Sequence, residues 1–157
     1  MKKCILVLLL LMFLLVGCST SADKLDDNGK PPVTVQDIPI DTENYNSKLD
    51  SDLNGWIYLR FINNSDCPIL RYQLTVTNHQ GIESYLQCDQ VISPGDVSPM
   101  MKGLVYSHLD RDIEEKTKFT FIKYTYENPE GKEVDVVYDA QADEYKLEPW
   151  DFSENDY

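Results

Sequence analysis

The chain has 157 residues, with 27 acidic against 14 basic side chains, a formal net charge of −13, and 42% of its residues hydrophobic. A body this acidic is repelled by phosphate backbones and anionic lipid headgroups, which sets nucleic acid aside as a partner. Once an apolar N-terminal segment is set apart, the remaining length suits one domain with a modest core.

That segment begins Met1, Lys2, Lys3 and continues without a charge from Cys4 to Val16. As a helix the run would measure about 20 Å against a hydrocarbon core of ~30 Å, too short to span it. A basic start, a short apolar stretch and a small-residue exit predict a secretory signal peptide. A buried core helix fits less well, because the run is apolar on every face.

The residues that follow are more specific. Leu15-Val16-Gly17-Cys18 resembles the lipobox of bacterial lipoproteins, in which the signal peptide is cut before the cysteine and the thiol takes a diacylglyceryl group. The resemblance implies that residues 1–17 are a removed lipoprotein signal peptide and that Cys18 is the lipidation site. It implies attachment at the extracytoplasmic face of the cell membrane, with the bilayer as a partner held through acylated Cys18. Two or more acyl chains hold a protein stably where one is marginal. Cleavage would take Lys2 and Lys3 from the 14 basic side chains, leaving 12 against 27 acidic ones and moving the formal charge from −13 to −15. Solubility at a crowded surface explains that charge more simply than an acidic binding face.

From Ser19 to Pro32 the chain is polar, with Asp26-Asp27-Asn28-Gly29 and Pro31-Pro32. Its low apolar content predicts a flexible acidic tether over 18–32. A calcium loop is excluded, because Lys24 stands five residues before Gly29, where the first ligand is required.

The body, 33–157, reads as strands. From Trp56 to Ile62, Ile57, Leu59 and Phe61 alternate with Trp56, Tyr58 and Arg60, and Asn63-Asn64-Ser65-Asp66 ends the strand with turn residues. In the next segment Tyr72, Leu74 and Val76 alternate with Gln73, Thr75 and Thr77 before Gly81. A loop of His79, Gln80 and Gly81 pairs Leu74 with Leu86, Tyr72 with Cys88 and Val76 with Ser84, leaving Thr75 on the outside. Later, Asn128-Pro129-Glu130-Gly131 carries proline and glycine at the second and fourth turn positions. A loop of Pro129 to Gly131 pairs Tyr126 with Val134, Tyr124 with Val136 and Ile122 with Tyr138. The reverse face, Thr125 with Asp135 and Phe121 with Asp139, is predicted to be solvated.

Between the hairpins, Ser93-Pro94-Gly95-Asp96 fits a type II turn into a strand from Val97 to Val105, which Pro99 marks as an edge or a bend. Ser107 to Lys116, with Leu109 and Ile113 at helical spacing, predicts a short crossover helix. Six or seven short strands with one helix predict an all-β fold, an immunoglobulin-like antiparallel β-sandwich, ending in an acidic C-terminal tail.

The strand closing in Asn63-Asn64-Ser65, the second strand leading to Gly81, and Ile92-Ser93-Pro94-Gly95 before another strand are similar to the small β-sandwich domains of bacterial lipoproteins of the FxLYD type. The likeness covers Trp56 to Val105. The chain departs from the naming pattern, since Thr75-Val76 follows Leu74 where the family has aromatic-aspartate. Such domains are treated as binding or accessory modules without established catalysis, so the resemblance implies a non-catalytic role and names no ligand; no cofactor is expected.

The residue inventory points the same way. The two histidines, His79 and His108, fall at a hairpin tip and in the crossover, away from ligand spacing, so neither a metal site nor a Cys/His nucleophile is supported. No glycine-rich phosphate loop or G-x-S-x-G element is present. An exported protein invites a disulfide between Cys67 and Cys88. The register opposes it, setting Cys67 about 16 Å from Cys88 along the strand and on the other face, unless Pro68 bends the chain.

Two functions are thus expected to compete. In the first, a membrane-anchored envelope lipoprotein acts as a non-catalytic binding or accessory module. Trp56, Tyr58 and Arg60 form its platform for a cell-wall glycan or an envelope protein. A neighbouring segment such as Val33 to Ile40 is expected to cover these residues instead. The alternative is an envelope hydrolase using acidic residues, which would require two convergent, desolvated carboxylates in a cleft.

Overall fold

The computed structural model of the chain describes residues 23–41, 46–49, 55–77, 81, 83–106 and 118–151. Cys18, the crossover helix expected between Ser107 and Lys116, and the end of the acidic tail lie outside them. Eight strands are present: β1 Asn46–Leu49, β2 Gly55–Leu59, β3 Ile69–Thr77, β4 Glu83–Cys88, β5 Met101–Tyr106, β6 Lys118–Glu127, β7 Glu133–Asp139 and β8 Glu144–Lys146. They form two antiparallel sheets, β1-β2-β5 and β4-β3-β6-β7-β8, and no helix occurs among the described residues.

Both hairpins adopt the register that their turns dictate. Leu74 pairs with Leu86, Tyr72 with Cys88 and Val76 with Ser84, and Gly81 has the positive φ of 79° that such a loop requires. At the β6–β7 turn, the Gly131 amide donates to the Asn128 carbonyl at 2.9 Å. Tyr126, Tyr124 and Ile122 then pair with Val134, Val136 and Tyr138. The Asp96 amide donates to the Ser93 carbonyl at 3.0 Å, and Gly95 at φ 82° completes the type II turn.

The inner faces of the two sheets meet in one core. Ile57, Leu59, Phe61 and Met101 come from the smaller sheet, and Ile69, Tyr72, Leu74, Val76, Leu86, Tyr124, Tyr126 and Val136 from the larger. Across the gap the rings of Phe61 and Tyr72 stack at 4.3 Å and 22°, joining the two inner faces. Cys67 and Cys88 are both free thiols, Cys88 buried and Cys67 half-buried.

Four sequence expectations need correction. The strand expected from Val97 begins only at Met101. Pro99 has no amide to offer a ladder, and Ser98 spends its amide on the Phe61 carbonyl while its Oγ accepts from the Phe61 amide at 2.9 Å. Thr75, placed outside, is 2% exposed, and Thr125, on the face expected to be solvated, is fully buried. They lie on β3 and β6, two of the three interior strands of the larger sheet, with a paired strand on either side. Arg71 pairs with Thr125 across the strands; its guanidinium sits 5.3 Å from the ring centroid of Trp150, which is 8% exposed. Arg71 also donates to Asp135 at 3.2 Å, and Asp135 accepts from the Thr125 hydroxyl at 2.6 Å.

The third correction concerns the tether. Within 18–32, residues 23–32 lie against the domain: Asp23 pairs with Lys132, Leu25 packs on the core and Pro31 is buried. Asp26 folds this stretch locally, its Oδ1 accepting the amides of Asn28 and Lys30 at 2.8 Å each. The Lys30 amide leads the causes that hold its carboxyl below the usual aspartate range. The fourth concerns Val33 to Ile40. Rather than covering the outer face of β2, this segment enters the gap between the sheets, with Val33 and Ile38 each 2% exposed.

The opposite side of the sandwich closes by direct approach of β4 and β5. A Cβ on Gly103 would stand 2.6 Å from Leu86 Cδ1 and 2.8 Å from its Cγ, closer than atoms in van der Waals contact can come. Gly103→Ala should therefore cost about 1–3 kcal/mol through overpacking. The cost should largely vanish in a Leu86→Ala background, because the clashing atoms are gone. Denaturant melts of the two single variants and the double variant measure this coupling, and simple additivity would show that the sheets do not meet there.

Candidate functional site

The outer face of β2 gathers the three residues singled out from the sequence. Strand alternation sends Ile57, Leu59 and Phe61 into the core, all at 3% exposure or less. Trp56, Tyr58 and Arg60 are left half-buried on the other side. The three share a face, in different environments.

Trp56 is flanked by a cation. β5 pairs with β2 so that Lys102 stands opposite Tyr58, and the exposed Lys102 reaches across to place its ammonium 3.7 Å from the centroid of the Trp56 ring. A cation at that distance is attracted by the negative face of the indole, an interaction worth about 0.5–1 kcal/mol in an exposed setting. Arg60 turns the other way, its Nε donating to Asp41 Oδ2 at 2.7 Å, with the Asp41 side chain 8% exposed. The platform therefore consists of two aromatic side chains on one strand face, with Lys102 on the Trp56 ring and an arginine committed to an ion pair.

The segment that was expected to cover this face defines its border. The Asp41 amide donates to the Arg60 carbonyl at 2.8 Å, the Ile62 amide to the Pro39 carbonyl at 3.0 Å and the Asn64 amide to the Asp37 carbonyl at 2.7 Å. These bonds lay residues 37–41 beside the end of β2, within the plane of its sheet.

Lys102 and Asp41 were not identified from sequence. β2 meets β5 only through a long connection, so no turn fixes their register, and Asp41 lies in a segment without a strand pattern. The pairing Tyr58–Lys102 is visible only once the smaller sheet is assembled.

A second feature is an open depression of about 280 Å³ beside the start of β7, bordered by Asp23, Lys132, Glu133, Asp135 and Glu148. Its carboxylates are largely committed: Asp23 to Lys132, and Asp135 to Arg71 and Thr125. Among the described residues, no group of three or more His, Cys, Asp and Glu side chains is placed to hold a metal ion. The two thiols are poor nucleophiles here, because burial raises the pKa of both Cys67 and Cys88, with Asp66 and Asp89 adding to it.

Comparison with known proteins finds no matching family model, no matching curated protein and no matching solved structure.

Removal of the lysine tests the arrangement of the platform. Lys102→Ala should leave stability within about 1 kcal/mol and make the emission of Trp56 more accessible to a neutral quencher. Trp150, at 8% exposure, supplies a protected background. Quenching indistinguishable from that of the parent protein would mean that Lys102 does not shield the indole.

Proposed function

We propose that the chain is a bacterial lipoprotein, held at the extracytoplasmic face of the cell membrane through acylated Cys18, whose β-sandwich serves as a non-catalytic binding or accessory module. The observation that carries the anchoring is Leu15-Val16-Gly17-Cys18 at the end of a charge-free run that follows Lys2 and Lys3. A run too short to span the bilayer and ending in that tetrapeptide is what a lipoprotein signal peptide requires.

The sandwich is read as immunoglobulin-like, of the small kind found in FxLYD-type lipoproteins. Two packed antiparallel sheets support this architecture. The module engages its partner through Trp56 and Tyr58, with Lys102 and Arg60 at the margins. Rigid aromatic faces on a strand offer a large contact area at little entropic cost, which suits the apolar faces of sugar rings or a partner protein. Lys102, on the Trp56 ring, gives the margin of this face a positive charge within an otherwise acidic domain. A cell-wall glycan or an envelope protein suits such a face.

Both halves are testable. Cys18→Ala should abolish incorporation of labelled fatty acid and leave the precursor uncleaved or shed, since this thiol is the proposed acceptor. Fatty-acid label retained on the variant would overturn the anchoring. In the anchored protein, Trp56→Ala with Tyr58→Ala should keep a strand-dominated circular dichroism spectrum while losing at least tenfold in binding to purified wall polymer or in co-purification of an envelope protein. Unaltered capture by a folded double variant would remove the platform from the proposal.

A further inference from the structure

The connections at one end of the sandwich are knit together by backbone hydrogen bonds. The Asn63 amide donates to the Asp96 carbonyl and the Gly95 amide to the Asn63 carbonyl, while Ile69 and Ile92 exchange bonds at 3.0 and 2.8 Å. The Glu127 amide donates to the Pro68 carbonyl at 3.0 Å. The β2–β3, β4–β5 and β6–β7 connections therefore share this end. Lys132, which follows the β6–β7 turn, holds Asp23 there.

The same end carries apolar side chains in water. Val91 is 62% exposed, Val97 44% and Met100 47%, all in the β4–β5 connection and tied to the cluster through the Ile69–Ile92 and Ile62–Val97 bridges. Phe119, at 42% exposure the other large exposed apolar residue among those described, begins β6 at the far end. The ten residues of β6 set the two ends about 34 Å apart. An isolated exposed apolar residue is ordinary. Here three fall within ten residues of one connection, Val91 to Met100.

Chain length names the occupant. Cys18 and Asp23 are five residues apart, and five residues reach at most about 18 Å fully extended. If acyl chains fix Cys18 in a bilayer, the end that holds Asp23 is kept within that distance of the lipid surface, whereas the far end is not tied to it. We infer that this end of the sandwich faces the membrane, with Val91, Val97 and Met100 resting in the headgroup layer. The inference depends on the acylation of Cys18 proposed above.

A contact by three partly exposed side chains is weak by itself, but a short tether supplies a high effective concentration and makes such a contact sufficient. The acids at this end set the lipid preference. Asp66, Asp89 and Asp96 are exposed beside the apolar residues and would be repelled by an anionic surface, so the contact is favoured on a zwitterionic one. With this end down, β2 runs across the space between membrane and wall, and Trp56 and Tyr58 face sideways.

The test is amide hydrogen exchange read by mass spectrometry on the full lipidated protein in phosphatidylcholine vesicles, compared with the lipid-free Cys18→Ala protein. Residues 89–100 should exchange several-fold more slowly on vesicles, while residues 139–144 at the far end should not change. A Val91→Ser, Val97→Ser, Met100→Ser variant alters only exposed positions. It should float with the vesicles through Cys18 and lose the protection. Unchanged exchange over 89–100 in a protein that floats overturns the orientation and leaves the anchoring intact. Failure to float overturns both. Protection that persists in the serine variant overturns the assignment of the contact to these side chains.

Discussion

A two-sheet sandwich has two open sides, and here the segment from Pro31 to Asp41 closes one of them. Its first half is bound to the larger sheet: the Tyr124 hydroxyl donates to the Val33 carbonyl at 2.5 Å, and the Val35 amide donates to the Tyr145 hydroxyl at 3.2 Å. Its second half is bound to the smaller one, through the backbone bonds of residues 37–41 to residues 60–64 and the Arg60–Asp41 pair. Val33 and Ile38 fill the space between. A neutral phenol is needed for the first bond, and burial raises the pKa of Tyr124 well above the ordinary tyrosine value. The segment thus works as a strap whose polar groups are satisfied on both sheets while its apolar groups complete the core.

That placement determines what the surface can do. Because the strap is consumed in the core, its apolar side chains do not lie over β2, and Lys102 stands over the Trp56 ring. Because the strap continues N-terminally into the ordered stretch from Asp23, the distance from the proposed anchor to the folded body shrinks from a whole tether to a few residues. A long flexible tether would let the domain sample any orientation, whereas a short one restricts it. The same eleven residues therefore bear on stability, on the openness of the platform and on the posture of the domain at a membrane.

Much of this fold was legible in the sequence wherever two local signals agreed. At both hairpins a turn glycine and a period of two independently selected one register, and every cross-strand pair derived from them is present. β2 was legible for the same reason, its alternation being unbroken from Trp56 to Phe61. Legibility failed where burial depends on neighbours far along the chain. Thr75 and Thr125 are polar and alternate with core residues, so they read as exposed. They are buried on β3 and β6, each of which has a paired strand on either side. Residues 23–32 read as a tether because Leu25 and Pro31 are few among polar residues, yet one turn made by Asp26 and one ion pair made by Asp23 lay them on the domain. β1 and β8, of four and three residues, are too short to show a period. At the candidate site the aromatic face was visible as a pattern, but Lys102 and Asp41 became visible only through pairings that no turn encodes.

The claim that the strap completes the sandwich is tested most directly by comparing the thermal unfolding of residues 23–157 with that of residues 42–157. Burial of Val33 and Ile38 contributes roughly 1.5–3 kcal/mol each. With the Tyr124 and Tyr145 hydroxyl bonds added, the strap supplies a large part of the about 5–15 kcal/mol that holds a domain folded. The shorter chain should lose its cooperative transition or melt far below the longer one, with the larger sheet exposing its core face to an apolar dye. A shorter chain that unfolds as cooperatively and at the same temperature as the longer one would contradict the account.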